Sequence, residues 1–174
     1  MAWLIPALLT VHNAEEAVAF RRTWSRLPQL LPAPIATLQA RLPFALMLQT
    51  LIGLSLLAFL LAAVVVARPS SRRALWLLLA LEAAVAINVV AHLVTAIAVF
   101  RGYGPGLGTA VLLNAPFAWY VFRRSRNERW VSPRAWRASF FGGLVLHGPI
   151  LLGLLWVLGA ATRVVLKNSI HSPG

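Results

Sequence analysis

One short stretch of the chain, His12-Asn13-Ala14-Glu15-Glu16, places an imidazole and two carboxylates inside an otherwise apolar segment. The whole sequence holds four acidic residues and four histidines, so half of the acids stand here beside one of the histidines. On a helix, residues three and four apart share a face, and His12, Glu15 and Glu16 then project together. An acid at the centre of a membrane helix costs roughly 2.5–3.5 kcal/mol. A partner, a proton or a bound cation has to offset that cost.

The same kind of residue recurs in the other apolar stretches as Glu82, Asn88, His92, Asn114 and His147. Each has a plain structural role open to it: Asn114 as interhelical glue, Asn88 and His92 as a local pair, His147 beside a kink at Pro149, Glu82 as a buried acid. Taken together they point further, because the arginines within the apolar stretches, Arg21, Arg22 and Arg163, stand at their ends, away from the acids' midspan positions. Compensation must come from histidine, a proton or a metal. There is no cysteine, so a metal would take nitrogen and oxygen ligands, which suits zinc, iron or manganese, as one ion or two. Helical bundles build such sites from inward-facing Glu and His on different helices.

The expected ligands are His12, Glu16, His92 and His147, with Glu15 a further ligand or the catalytic base. Asn88 would support them from behind, and Glu82 is the expected separate proton donor. Glu82 and His92 are ~15 Å apart along one helix, so both cannot bind one ion. With the first, third and fifth spans parallel, His12, His147 and Glu82 fall at similar depths. Glu15, Glu16 and Asn88 come a turn further on, and His92 beyond them.

The elements that must position these groups are all α-helical, an integral membrane bundle of five spans, or of four plus an embedded N-terminal helix. About twenty apolar residues are needed to cross a bilayer. The spans read as residues 2–22, 44–67, 74–100, 107–122 and 138–165. Residues 23–43 carry Pro28, Pro32, Pro34 and Pro43 and read as a loop with a short interfacial helix ending near Arg41. Residues 68–73 and 101–106 form breaking turns, and 123–137 reads as a basic loop. Residues 1–167 make a single bundle, and 168–174, with a solvated His171, a short tail.

Composition agrees: of 174 residues 60% are hydrophobic, which sets the chain apart from ordinary soluble domains. The net charge of +12 comes from arginines clustered between apolar spans, the placement of lipid-headgroup contacts and topology signals, which argues against nucleic acid. Membrane lipids are the expected partners, and oligomeric state is left open. Six arginines in 123–137 and three in 68–73 place those turns in the cytoplasm, although Arg21, Arg22, Arg26 and Arg41 then lie outside against the rule. No secretory signal is expected, because no basic leader precedes the apolar run. The arginine and alanine bias resembles a chain from a GC-rich bacterium, and with it a multi-pass protein of the inner membrane.

These motifs resemble those of the HXXEE-domain integral membrane proteins. His12-Asn13-Ala14-Glu15-Glu16 fits the defining motif, Asn88-Val89-Val90-Ala91-His92 is similar to an Asn-x-x-x-His element, and His147 and Glu82 supply a further His and Glu. The resemblance implies a membrane metalloenzyme. The reading that follows is a divalent ion, held by His and Glu, activating water or oxygen against a lipid or other apolar substrate. A looser likeness, of architecture alone, is to the emopamil-binding sterol isomerase class, which implies metal-free isomerisation or cyclisation with Glu82 and Glu15/Glu16 as proton donor and acceptor. A third alternative is a small transporter or proton relay along the same polar chain.

Overall fold

The computed structural model describes residues 1–40, 42–151, 153 and 157. Arg41, most of the fifth span beyond Leu151, and the 168–174 tail with His171 lie outside the described residues. Among the described residues all regular structure is helical: α1 (Leu4–Thr23), α2 (Leu27–Leu30), α3 (Ala33–Ala40), α4 (Phe44–Ala67), α5 (Arg72–Thr95), α6 (Leu107–Thr109), α7 (Ala115–Asn127) and α8 (Pro133–Val145). Three π-helical turns join or extend them, at Ala96–Phe100, Ala110–Asn114 and Leu146–Ile150. Such turns often accompany functional sites. The one after α8 contains Pro149, which cannot donate to the helical ladder.

Local chemistry sets the boundaries. Pro43 precedes α4 in extended conformation, and Arg68, next to Pro69, leaves the helix at its other end. The Ser71 and Ser132 hydroxyls cap α5 and α8 by accepting from the N–H of Ala74 at 3.3 Å and of Ala135 at 3.2 Å. The basic segment expected as a loop over 123–137 is therefore mostly helix, with α7 continuing to Asn127 and α8 starting at Pro133. The signal was in the sequence: Ser132-Pro133 is an N-cap followed by a proline at the first helical position.

Helix α5 is central. It makes its most extensive contact with α8, where Gly143 lies so close that a Cβ would come within 2.5 Å of Ala83 Cβ. On another side Leu79 packs with Val121 of α7 and Val131. Helix α1 packs on α4, antiparallel, and the Asn13 side-chain amide donates to Leu51 O at 3.0 Å and Ser55 Oγ at 2.9 Å. Ile5, Ala58, Val65, Leu78 and Leu81 form a core that joins α1, α4 and α5.

Among the described residues two helices are long and apolar enough to cross a membrane, Phe44–Ala67 and Arg72–Phe100. Helix α1 has 20 residues but carries Glu15, Glu16, Arg21 and Arg22. The fourth expected span is a composite of α6, a π turn and α7, whose last turn bears Arg124 and Arg126. Helix α1 does run parallel to α5, but shifted: Ile5 packs with Leu78 and Leu81, and His12 reaches Asn88 and His92. Equal counts from the span starts therefore misplace the depths. His12 lies level with Asn88–His92, and Glu82 sits a turn and a half or more away, at ~9 Å from Asn88 along α5.

Candidate metal centre

His12 and Glu16 project from one face of α1 and meet His92 of α5. One ligand atom from each of the three lies within 4.8 Å of the others, a group that could hold a metal ion. His12 Nε2 stands 3.1 Å from His92 Nε2, 3.7 Å from Glu16 Oε2, and His92 Nε2 is 3.6 Å from Glu16 Oε1. The rings meet edge to face at 76°. His12 is fully buried, while the His92 and Glu16 side chains are 10% and 13% exposed. The Asn88 amide nitrogen lies 2.9 Å from His12 Nε2 and 3.1 Å from His92 Nε2.

The surrounding hydrogen bonds fix which nitrogen of His12 is free. Thr109 Oγ1 is 2.9 Å from His12 Nδ1 and donates to Glu15 Oε2 at 2.5 Å. A hydroxyl that gives its proton to a carboxylate must accept from the imidazole, so His12 carries its proton on Nδ1 and turns a lone pair inward at Nε2. The Asn88 amide nitrogen, which can only donate, stands 3.1 Å from His92 Nε2, so His92 too presents Nε2 to the cluster as an acceptor. Two lone pairs and a carboxylate thus converge, with Asn88 as their one nearby amide donor among the described residues. A bound cation would resolve that convergence. Tetrahedral binding with bonds of about 2.0–2.1 Å separates ligand atoms by about 3.3–3.4 Å, and the observed spacings of 3.1–3.7 Å bracket that value.

Glu15 stands apart from the group. Its two oxygens are taken by Tyr103 Oη–H, by the N–H groups of Gly108 at 3.1 Å and Thr109 at 2.7 Å, and by the Thr109 hydroxyl. It anchors the Arg101–Thr109 turn over the site and reaches the cluster only through Thr109. The hydrogen bond to Glu15 holds the Tyr103 hydroxyl above its usual pKa. Spacing alone could not separate Glu15 from Glu16, because both follow His12 within one helical turn.

His147 lines the same cavity as Glu16 and Asn88 without joining the ligand group. Glu82 is 1% exposed, and among the described residues neither of its oxygens has a hydrogen-bond partner; the same holds for both polar atoms of Asn114. Glu128, expected to be a surface ion pair, bonds Arg124 Nε at 2.7 Å and accepts from Trp130 Nε1 at 2.8 Å. Such an exposed pair adds little stability.

Four residues escaped the sequence reading: Asn13, Tyr103, Gly106 and Thr109. Gly106, at φ +78°, covers the group so closely that a Cβ would meet Glu16 Cγ and His92 Cε1 at 2.7 Å and His12 Cε1 at 2.9 Å. Only the glycine-rich run Gly102-Tyr103-Gly104-Pro105-Gly106-Leu107-Gly108 hinted at so close an approach. Thr109→Val should weaken metal affinity by about 10–100-fold, since it removes the hydroxyl that orients His12. Competition against a chromogenic chelator measures this, with Thr109→Ser restoring most of the loss.

A family model described as "protein of unknown function with HXXEE motif" matches residues 3–121. The chain belongs to this family. The matched region contains His12, Glu16, His92, Gly106 and Thr109, so the whole HXXEE cluster and its covering turn lie within it, while His147 lies beyond. Neither a curated protein nor a solved structure matches the chain.

Proposed function

We propose that this HXXEE protein is an integral membrane metalloenzyme whose His12, Glu16 and His92 hold a divalent ion facing an apolar substrate. The convergence of three buried ligand atoms, with no neutralising cationic side chain against them among the described residues, carries this reading. Three protein ligands with one position left toward a cavity is the arrangement of a catalytic rather than a structural site. When bound, the ion supplies activation of water or oxygen. Thr109 and Glu15 fix the His12 tautomer, Asn88 spans the two imidazoles, and His147 faces the cavity as a fourth ligand or a proton carrier. Zinc, iron and manganese all suit this ligand set.

The membrane setting rests on α4 and α5 and on the apolar side chains that cover the outside, with Leu60 at 65%, Ile97 at 77%, Leu112 at 74% and Phe141 at 71% exposed. In a bilayer these face lipid. The five embedded segments are then α1, α4, α5, the α6–α7 rod and α8 with the Leu146–Ile150 turn that follows it. The arginine-rich turns near Arg68–Arg73 and Arg123–Arg134 lie together at one end, toward the cytoplasm of a bacterial inner membrane. The metal group lies nearer the other end.

Elemental analysis of the purified protein tests the reading. Stoichiometric metal is expected, falling below one tenth in His12→Ala and in His92→Ala with helix content intact. Metal-free protein with the cluster intact would instead favour acid–base chemistry through Glu16 and the imidazoles.

A further inference from the structure

Beside the metal group runs a cavity of about 310 Å³, walled by α1, α4, α5 and the turn after α8. Its length follows from α4, which lines it from Leu46 to Leu61, a distance of ~22 Å at 1.5 Å per residue. That length suits one extended hydrocarbon chain laid along α4.

Its polarity is uneven. One end, at Leu9, Leu57, Leu61 and Leu81, is wholly apolar. Glu16, Asn88 and His147 share its wall with Thr50, and the antiparallel pairing of α1 with α4 puts Glu16 near the level of Thr50. The other end is formed by Trp24, Leu42 and Leu46, with Trp24 packed on Phe44 at 5.6 Å between ring centres. Exposed Arg21, Arg22 and Arg26 flank Trp24 in sequence, and no acid occurs between Ala17 and Leu81 to neutralise them. Along α1, Trp24 and Glu16 are ~12 Å apart.

We propose that the cavity seats a single long-chain amphiphile with an anionic head at Arg21, Arg22 and Arg26 and its tail at Leu61. The interior of the chain, rather than its head, then faces the His12/Glu16/His92 group. This rests on the reading of that group as a metal site acting on an apolar substrate, and it extends that reading to the class of substrate and the part of it presented. An anionic head is drawn by the arginines and anchored at the interface beside Trp24. A tail of matching length fills the leucine-lined end, while a chain bond ~12 Å inward comes level with Glu16.

The test is equilibrium binding to the protein in nanodiscs, using an eighteen-carbon fatty acid, the corresponding alcohol and a ten-carbon fatty acid. Wild type should bind one eighteen-carbon acid saturably. Converting Arg21, Arg22 and Arg26 to Glu should weaken the acid by about tenfold or more while the alcohol shifts by less than about twofold. Leu61→Trp should weaken the eighteen-carbon acid by about tenfold and leave the ten-carbon acid unchanged; Leu57→Phe serves at the same end if the larger ring prevents folding. Equal losses for acid and alcohol, equal losses for both chain lengths, or no saturable binding would overturn the proposal. His12→Ala separates the two ideas. Binding that persists with metal gone supports the cavity independently. Metal retained in wild type without the chain-length effect sinks this inference alone, and metal-free wild type with the effect intact sinks the metal reading alone.

Discussion

Gly106→Ala is expected to empty the metal site, lowering metal affinity by at least about 100-fold, the largest loss from a single added methyl group. The backbone at Gly106 has φ +78°, a left-handed conformation that L side chains rarely adopt. The added methyl would also stand 2.7–2.9 Å from carbons of all three ligand side chains, where real contacts essentially never fall. Two of those side chains are imidazoles held by hydrogen bonds, His12 by Thr109 and His92 by the Asn88 amide, so they cannot swing away cheaply. Either the turn lifts off the site or the ligands splay. The combined cost is about 2–4 kcal/mol from the backbone and from overpacking. Gly148→Ala is the control, since among the described residues nothing lies within 4 Å of its added Cβ; its metal content and melting temperature should match wild type. Metal titration with a thermal melt decides the matter: normal affinity in Gly106→Ala would mean that the turn does not cover the site as described.

The covering role of Gly106 also marks the limit of what the residue pattern disclosed. Apolar runs bounded by proline and arginine marked α4 to the residue and α5 to within two residues at its start, because proline and clustered charge end a long apolar helix. The pairing of His12 and Glu16 with His92 was legible for a related reason: ionisable groups in apolar segments have few places to go except toward one another. Depth was not. The shift of α1 against α5 depends on where Ile5 and Asn13 find their packing partners, and no count from the span ends contains that information. Nor was the division between Glu15 and Glu16, which share a turn of helix and differ only in what the distant Tyr103–Thr109 segment brings to them. The five-span architecture is a proposal, since among the described residues length and composition select two helices.

The adjacent acids should therefore fail in opposite ways. Glu15→Ala removes the acceptor of two backbone N–H groups and two hydroxyls from Tyr103, Gly108 and Thr109, leaving the turn over the site without its anchor. Hydrogen bonds to a charged group contribute about 1.5–3 kcal/mol, and N–H groups left without partners add their own cost. The metal-free protein should lose about 2–4 kcal/mol of stability. Glu15→Gln keeps one carbonyl acceptor for these donors and should recover part of that loss. Glu16→Ala removes a carboxylate 3.6–3.7 Å from two imidazole lone pairs, which the metal-free protein tolerates to within about 1 kcal/mol. Its metal affinity should instead fall by at least about 100-fold, because two imidazoles alone make a weak divalent site. Thermal melts of chelator-treated protein, paired with metal titrations, place each variant on both axes. A Glu15→Ala protein as stable as wild type, or a Glu16→Ala protein that still binds metal stoichiometrically, would show that the two carboxylates have been assigned the wrong way round.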